Sequence, residues 1–173
     1  MRSSLLAAAT ILLSLNIISA QNILSIAEGF GHVVVSSEYG SNYAPSHIRL
    51  DYTSRITGAN GASAWAAAKS DTNQWAIVNF GTRNVLVTAF CTQGRGDFDQ
   101  WVTSYNLSFT INGVDWIPFK SSAYVGNTDR NTKVCYDLLP FYQVKAVKFA
   151  PVTWFGFVSA RIEAYIQLLG QSS

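Results

Sequence analysis

Four neighbouring side chains in the middle of this chain have the chemistry needed to hold a hydroxyl-rich ligand. Arg95, Asp97 and Asp99 supply a guanidinium and two carboxylates within five positions, and Phe98 places an aromatic ring between the carboxylates. Planar charged groups bond hydroxyls with fixed geometry, and an aromatic face packs against the apolar face of a pyranose ring. The cluster therefore favours carbohydrate binding.

The same region does not predict catalysis. Asp97 and Asp99 resemble an acid pair, but two carboxylates in one loop are more typical of hydroxyl acceptors or of solvated charges. The chain has no nucleophile elbow and no histidine cluster with metal-ligand spacing, since His32 and His47 lie apart without a partner motif. We therefore expect a binding protein, with no enzyme activity and no metal site.

Arg95-Gly96-Asp97 is also an RGD tripeptide, a motif that integrins recognise. Such a short motif occurs often by chance. In addition, a buried carboxylate would hold Arg95 at a strand end and so prevent its presentation. Recognition by an integrin or another protein receptor is the alternative to carbohydrate binding.

The first twenty residues have the composition of a secretory signal peptide. Arg2 precedes an apolar run from Leu5 to Ile18, and small residues lead to a cleavage site after Ala20. A membrane anchor is the alternative, but the run is shorter than the ~20 residues that a membrane span needs. We therefore expect a secreted, extracellular protein.

Length and charge restrict the class of protein further. The 153 residues that follow position 20 are the size of one domain. The full chain has 12 basic and 10 acidic residues, and no basic run. Nucleic-acid binding needs many cationic contacts with phosphates. The composition therefore disfavours nucleic acid as a partner, and it disfavours anionic lipid for the same reason.

The periodicity of the chain predicts an all-β fold. Apolar and polar residues alternate from Val102 to Ile111, as in a half-buried antiparallel strand, and Asn112-Gly113 supplies a hairpin turn. The one helical signal is a short stretch around Ala64–Ala68. Many short strands without helical crossovers favour a sandwich or a barrel. The other predicted strands are Gln74–Phe80, Val85–Gln93, Trp116–Phe119, Lys133–Leu138, Val144–Ala150 and Val158–Ile166.

Cys91 and Cys135 are the two cysteines of the chain. Two cysteines in an oxidising compartment usually pair. However, Cys91 shares the inward parity of Val85 and Val87, whereas Cys135 shares the outward parity of Asp137. Because bridged Cβ atoms must converge, the compartment favours a Cys91–Cys135 disulfide while the parity leaves the pairing open.

Asn106-Leu107-Ser108 is a sequon for N-glycosylation. Asn106 lies on the polar parity of its predicted strand, which would leave it accessible to modification in a secretory pathway. The alternative is an unoccupied sequon within a regular strand, because such sites prefer loops.

Several segments together, in their order and spacing, resemble the discoidin family, also called the coagulation factor five/eight type C domain. One is TQGRGDFDQWVTSY (92–105), and another is SARIEAY (159–165), which resembles the last strand of the family. The others are SSEYGSNYAPSHIRLD (36–51), SAWAA (63–67), NQWAIVNFG (73–81), FTINGVDWIPF (109–119), GNTDRNT (126–132) and PVTWFG (151–156).

The resemblance implies a jelly-roll β-sandwich over residues 35–166, with a lead-in at 21–34 and a tail at 167–173. It implies no catalysis. The family often joins its two ends by a disulfide, but here Ile166 stands where the last cysteine would fall. The domain must therefore be closed in another way.

Some galactose-binding relatives hold a structural calcium ion. By this resemblance Asn60 and Glu163 would contribute oxygens. Calcium takes six or more oxygen ligands, and the sequence does not supply that set, so we expect no cofactor.

The resemblance also assigns the ligand to four loops, at 38–44, 53–62, 94–100 and 154–157. Family members bind galactose-type sugars, phosphatidylserine membranes, collagen or protein receptors, so the loops and not the fold select the ligand. Two carboxylates at the tip of the third loop would repel an anionic headgroup. The expected ligand-binding residues are Tyr39, Asn42, Tyr43, Arg95, Asp97, Phe98, Asp99, Trp154 and Phe155.

We therefore expect a lectin-like protein for cell adhesion or extracellular recognition, with cell-surface or matrix glycans as its partners. A single site of this kind binds weakly, and a homo-oligomer would raise the avidity.

Other prominent residues receive structural interpretations. Arg161 and Glu163 alternate along one strand face, and we expect them to pair with each other. Asn and Asp side chains often bond their own backbone. The residues expected to brace a turn are Asn127, Asp129 and Arg130, and the tryptophans expected in the core are Trp65, Trp75, Trp101 and Trp116.

Overall fold

The computed structural model describes residues 23–54, 62–83 and 85–169. The predicted signal peptide, residues 1–20, lies outside the described residues. So do most of the predicted loop at 53–62 and the end of the predicted tail.

The described chain forms short and long β-strands and two 3₁₀ turns. The turns are Ser41–Tyr43 and Pro45–His47. The strands are β1 (Ile23–Leu24), β2 (His32–Val35), β3 (Trp65–Ala66), β4 (Ala76–Asn79), β5 (Val85–Gln93), β6 (Trp101–Thr110), β7 (Ile117–Pro118), β8 (Tyr124–Val125), β9 (Val134–Val144), β10 (Ala146–Phe155) and β11 (Ser159–Leu168).

These strands make two sheets whose strand pairs are antiparallel. One sheet has the order β1-β11-β5-β9, with β3 added beside β11. The other has the order β2-β4-β10-β6-β7, with β8 added beside β6. The predicted all-β sandwich is confirmed.

The core lies between the sheets and is rich in aromatic rings. The ring of Phe149 on β10 is 5.9 Å from that of Phe90 on β5 and 4.9 Å from that of Tyr105 on β6. Along β6, Tyr105, Leu107 and Phe109 are buried and Asn106 is exposed, as predicted. The predicted alternation fails at the end of the strand, where Thr110 is buried and Ile111, beyond β6, is exposed. Trp65 is fully buried, whereas the other three tryptophans expected in the core are half-buried.

Two strands extend past their predicted ends, and each continues through a proline. β9 continues through Pro140 to Val144, and β10 continues through Pro151 to Phe155. Proline is tolerated in strands at sheet edges and at bulges. β9 is the edge strand of its sheet, and the register of β10 shifts between Pro151 and Thr153. The predicted strand ends at Leu138 and Ala150 were therefore wrong.

The helical signal around Ala64–Ala68 was also wrong. Residues 62–67 are all buried, and Trp65–Ala66 form β3, which pairs with β11. An amphipathic helix needs an exposed polar face, and this segment has none because it lies between the sheet and the surrounding loops.

The N-terminal part of the described chain is anchored by one buried carboxylate. Glu163 on β11 is fully buried, and its Oε1 accepts hydrogen bonds from the Ser25 hydroxyl and from the backbone N–H groups of Ile26 and Ala164. Its Oε2 accepts from the N–H of Ala27. Glu163 therefore fixes the segment that follows β1.

Arg161 and Glu163 do not bond to each other, so the expected pair was wrong. Glu163 accepts hydrogen bonds from backbone N–H groups of the N-terminal segment. Arg161 donates hydrogen bonds to backbone carbonyls of two loops. Both oxygens of Glu163 accept from N–H or O–H donors, which disfavours their use as calcium ligands. Asn60, the other expected calcium ligand, lies outside the described residues.

Replacing Glu163 with glutamine is expected to lower the free energy of unfolding by about 1–3 kcal/mol at a pH below 4.5, because the NH₂ group of the amide brings two hydrogens toward N–H and O–H donors where a protonated carboxyl brings one. Desolvation raises the pKa of Glu163 despite its four hydrogen bonds. A raised native pKa means that the stability contributed by Glu163 is full below its ordinary pKa of 4.5 and is lost as the pH rises through the native pKa. The difference in stability between wild type and variant should therefore shrink as the pH rises across that window. Urea titrations at several pH values measure it, and a difference that grew with pH would contradict the expectation.

Cys91 and Cys135 form a disulfide between directly opposed residues of β5 and β9, with Cα atoms 4.1 Å apart. The predicted bond is confirmed, and the conflict in parity is explained by a register shift between Val87 and Ala89. Val85 and Val87 face the core before the shift, and Phe90 faces it afterwards. Cys91 therefore lies on the same outer face as Cys135.

Candidate functional site

Three chain segments cross from one sheet to the other at the same end of the sandwich. They are residues 94–100 between β5 and β6, residues 126–133 between β8 and β9, and residues 156–158 between β10 and β11. The 3₁₀ turns and the segment around Tyr52 contact this end as well. We call this end of the sandwich the loop end.

Arg161, at the start of β11, donates hydrogen bonds to three of these segments: 94–100, 126–133 and the segment around Tyr52. It is almost fully buried. Its Nε donates to the Gly94 carbonyl (2.7 Å), its Nη1 to the Tyr52 carbonyl (3.2 Å), and its Nη2 to the Arg130 carbonyl (2.8 Å). Nη2 also donates to Asn131 Oδ1. No local pattern predicts this role of Arg161, because the carbonyls come from three distant parts of the chain.

Asn127 and Asp129 brace the 126–133 segment, as expected, whereas the side chain of Arg130 pairs with Asp99 of the 94–100 segment instead. Asn127 donates through Nδ2 to the carbonyls of Thr92 and Thr132. Asp129 accepts from the N–H groups of Asn131 and Thr132. A hydrogen bond from the Thr132 side chain, together with these two, holds the pKa of Asp129 below its ordinary value. The braced segment packs so closely on Gly94 that a Cβ there would lie 2.6 Å from the Asp129 carbonyl oxygen.

An ion pair between Arg95 and Asp97 lies at the loop end, with aromatic rings next to the guanidinium. Arg95 donates from Nε to Asp97 Oδ1 (2.9 Å) and from Nη2 to Asp97 Oδ2 (2.6 Å). Its Nη1 donates to Gln100 Oε1 at 3.0 Å. The guanidinium carbon lies 5.0 Å from the centre of the Tyr43 ring and 5.5 Å from that of Phe98, distances typical of cation–π contacts.

Asp97 is oriented by the scaffold as well as by Arg95. Its Oδ1 accepts the backbone N–H of Ser63 at 2.7 Å. Burial raises the pKa of Asp97, but the hydrogen bonds from Arg95 and Ser63 outweigh burial and hold the pKa below its ordinary value. Asp97 is therefore ionised at neutral pH.

The same geometry bears on the RGD motif. The side chain of Arg95 is only 12% exposed, and Asp97, at 31%, is its ion-pair partner. The two charges of the motif thus face each other, and presentation to a receptor would require the pair to break.

Exposed rings border the ion pair. Tyr39 is 62% exposed, and its ring makes edge contacts with Tyr43 at 5.2 Å and with Phe157 at 5.7 Å. Phe98 is 56% exposed. Pattern reasoning did not select Phe157, although it lies in the predicted loop at 154–157. We call Tyr39, Tyr43, Arg95, Asp97, Phe98 and Phe157 the Arg95 cluster.

A second aromatic pair lies at the end of β10. Phe155 is 52% exposed and stacks on Trp101, its cross-strand partner, with ring centres 4.6 Å apart. Gly156 follows with φ of 69°, and a Cβ there would lie 2.7 Å from the Asp99 carbonyl oxygen. Only glycine fits this left-handed turn against the 94–100 segment. Trp154 is half-buried and packs against the core, so the structure does not bring it to the Arg95 cluster.

The remaining expected ligand residues lie beside the cluster. Asp99 pairs with Arg130 at 2.6 Å, and this hydrogen bond lowers the pKa of the Asp99 carboxyl. Asn42 is half-buried in the first 3₁₀ turn, and its carbonyl accepts a hydrogen bond from His47 Nδ1.

Metal sites and membrane-spanning helices are two other possibilities. Over residues 23–54, 62–83 and 85–169, no group of three or more His, Cys, Asp or Glu side chains could hold a metal ion. Within the same ranges no helix has the length and apolarity needed to cross a membrane.

Comparison with known proteins identifies the architecture. The family model of the F5/8 type C domain matches residues 32–164. The chain belongs to this family. The expected resemblance is therefore confirmed, and the crossing segments of the loop end are the loops of an F5/8 type C domain.

Relatives of this F5/8 type C domain include the discoidins of Dictyostelium discoideum. One discoidin-1 chain is 34% identical over 140 residues, covering 79% of this chain and 54% of the relative. Discoidin-2 is 27% identical over 151 residues, covering 86% of this chain and 58% of the relative. The chain spans little more than half the length of these curated relatives.

Solved structures agree with the fold. Wild-type discoidin II from Dictyostelium discoideum superposes with a TM-score of 0.81 at 27% identity, over 88% of this chain and 60% of that one. The family 32 carbohydrate-binding module of NanJ from C. perfringens, solved in complex with galactose, gives a TM-score of 0.61 at 16% identity. That match covers 84% of this chain and 99% of the module, and it shows the fold alone.

Proposed function

We propose that this F5/8 type C domain is an extracellular lectin that binds a neutral glycan at its loop end, in the Arg95 cluster. The observation that carries the proposal is the position of the Arg95 guanidinium, which is oriented by Asp97 and Gln100 and lies between the rings of Tyr43 and Phe98.

The cluster offers the two kinds of contact that a sugar ring needs. A guanidinium has five N–H groups, and Asp97 and Gln100 use three of them, so Arg95 retains the capacity to donate to a hydroxyl. Phe98 and Tyr39 offer exposed aromatic faces for the apolar side of a pyranose. Polar groups fixed among aromatic walls are typical of small-ligand sites.

The charges of the loop end favour a neutral ligand. Arg95 is paired with Asp97, and Arg130 is paired with Asp99. An acidic sugar or an anionic lipid headgroup would have to compete with these carboxylates for the guanidinium groups. The site should therefore bind uncharged sugars in preference to sialylated or sulfated ones, and binding should depend little on salt.

Two observations support the extracellular setting. The chain starts with residues of signal-peptide composition, and its two cysteines form a disulfide, a bond typical of oxidising compartments. A role in adhesion to glycans of cells or matrix would need more than one weak site, which a homo-oligomer would supply.

Replacing Phe98 with alanine is expected to weaken binding to a neutral galactose- or N-acetylgalactosamine-terminated glycan about tenfold, because one aromatic face is lost. A glycan array identifies the ligand first, and calorimetry with that glycan then measures the affinity. Phe98 is exposed, so the variant should keep the stability of the wild type.

Leu139→Ala is the matched control, because Leu139 is an exposed apolar residue of β9, outside the loop end. Its affinity should equal that of the wild type. If the folded protein binds no glycan on the array, or binds only an integrin, the proposed function is wrong. If Phe98→Ala binds normally, the ligand lies elsewhere.

A further inference from the structure

We propose that Asn106 carries an N-linked glycan, which covers the outer face of the six-stranded sheet. Asn106-Leu107-Ser108 is the single Asn-X-Ser/Thr sequence of the chain. Asn106 is exposed in the middle of β6, while its neighbours Tyr105 and Leu107 are buried in the core. Its side chain therefore projects from the sheet toward solvent.

The surroundings of Asn106 leave room for a sugar. Its cross-strand partner on β10 is Ala150, which has a single methyl group. On the other side of β6, pairing with β8 ends at Tyr105 and pairing with β7 begins at Ser108. On that side, therefore, no described strand pairs with Asn106. The nearest residues on the same face of β6 are Ser104 and Ser108, whose side chains are small.

The outer face has apolar surface that a glycan would shield. Val125 on β8, opposite Ser104, is 66% exposed. Trp116 is half-buried with the Lys148 ammonium 5.5 Å from its ring centre, and Lys148 lies next to Ala150 on the outer parity of β10. A bulky hydrophilic glycan at the centre of this face would keep it from associating with other sheets.

The glycan would not interfere with the loop end. β6 begins there at Trp101, and Asn106 lies five residues along the strand. At about 3.3 Å per residue this is roughly 16 Å. The modification is therefore independent of the proposed ligand site.

The modification is a group transfer from a lipid-linked oligosaccharide. The Asn106 amide nitrogen forms a bond to C1 of the reducing-end sugar, and the bond from C1 to the lipid pyrophosphate oxygen breaks. The lipid pyrophosphate is the leaving group, and one amide proton passes to a base of the transferring enzyme. The extended sequon is accessible before the sheet forms, and the exposed position makes the product compatible with the folded sheet.

The test uses the full chain with its own first twenty residues, expressed in a eukaryotic secretory host. Intact-mass spectrometry of the secreted protein should show a glycan mass that peptide N-glycosidase removes, with conversion of Asn106 to aspartate. Asn106→Gln and Ser108→Ala should abolish this mass, while Ser108→Thr should retain it. Asn112→Gln, at an exposed asparagine outside the sequon, should leave the mass shift unchanged.

A secreted wild-type chain of unmodified mass, or a chain that does not enter the secretory pathway, would overturn the proposal. Affinity for the array glycan should be the same for wild type and Asn106→Gln. If the secreted wild type carries no glycan but binds the array glycan, this inference fails and the proposed function stands. If the wild type is glycosylated but binds no array glycan, the proposed function fails and this inference stands.

Discussion

Replacing Arg161 with methionine is expected to lower the free energy of unfolding by about 3–5 kcal/mol, the range for breaking a buried polar network. Methionine keeps the bulk of the side chain but donates no hydrogen bond. The carbonyls of Gly94, Tyr52 and Arg130 and the Oδ1 of Asn131 would each lose a donor from Arg161. An unsatisfied buried acceptor costs about 1–3 kcal/mol, and relaxation of the loops recovers part of the sum.

The same change is expected to abolish glycan binding. Arg161 holds the 94–100 segment, which carries Arg95, Asp97 and Phe98, against the 126–133 segment. Without Arg161, the ring of Phe98 and the Arg95–Asp97 ion pair are no longer held in place. Arg161→Lys should lie between wild type and Arg161→Met, because an ammonium is a compact charge that cannot reproduce the planar fork.

Urea denaturation followed by tryptophan fluorescence measures the stability, and calorimetry with the array glycan measures the binding. Arg83→Met is the matched control, because Arg83 is exposed and should change stability by no more than about 0.5 kcal/mol. An Arg161→Met variant within about 1 kcal/mol of the wild type would show that Arg161 does not organise the loop end.

Replacing both cysteines with alanine is expected to lower the free energy of unfolding by about 4 kcal/mol. Cys91 and Cys135 are 44 residues apart in sequence. Their bond closes a loop of that size in the unfolded chain, and the chain-entropy estimate for such a loop gives this value. The bond also connects β9, an edge strand, to β5, which lies inside its sheet.

Urea denaturation of the double variant measures the loss, and wild-type protein denatured under reducing conditions should give the same value. The urea m-value should rise, since the unfolded chain without the bond exposes more surface. A loss below about 1 kcal/mol would contradict the expectation. It would mean that the entropy removed from the unfolded chain is cancelled by an unfavourable effect of the bond on the native state.

The contacts that join the two ends of the domain could be predicted only in part from the sequence. The resemblance placed Ile166 where the family often has a terminal cysteine, and it predicted closure by other means without identifying them. In the structure Ile166 pairs with Ile23 across β11 and β1, and Glu163 binds the backbone of Ile26 and Ala27. The sequence contained each of these residues, but their contact depends on the return of β11 to the N-terminal strand.

The sequence by itself determined the properties that depend on neighbouring residues. Alternation along β6, the run of β5 and the hairpin signal at Asn112-Gly113 predicted the sandwich. The sequence also places Arg95, Asp97 and Phe98 within one short segment, whose role in ligand binding stays a prediction. These features are local, because side-chain direction alternates with a period of two along a strand.

Only the tertiary structure decided which of these groups meet. A single register shift in β5 places Cys91 on the same face as Cys135, and three loops from distant parts of the chain bring their carbonyls to Arg161. The contact of Phe157 with Tyr39 likewise joins residues far apart in sequence. Such contacts follow from strand register and from the way segments cross between sheets, and neither is encoded in any short stretch of residues.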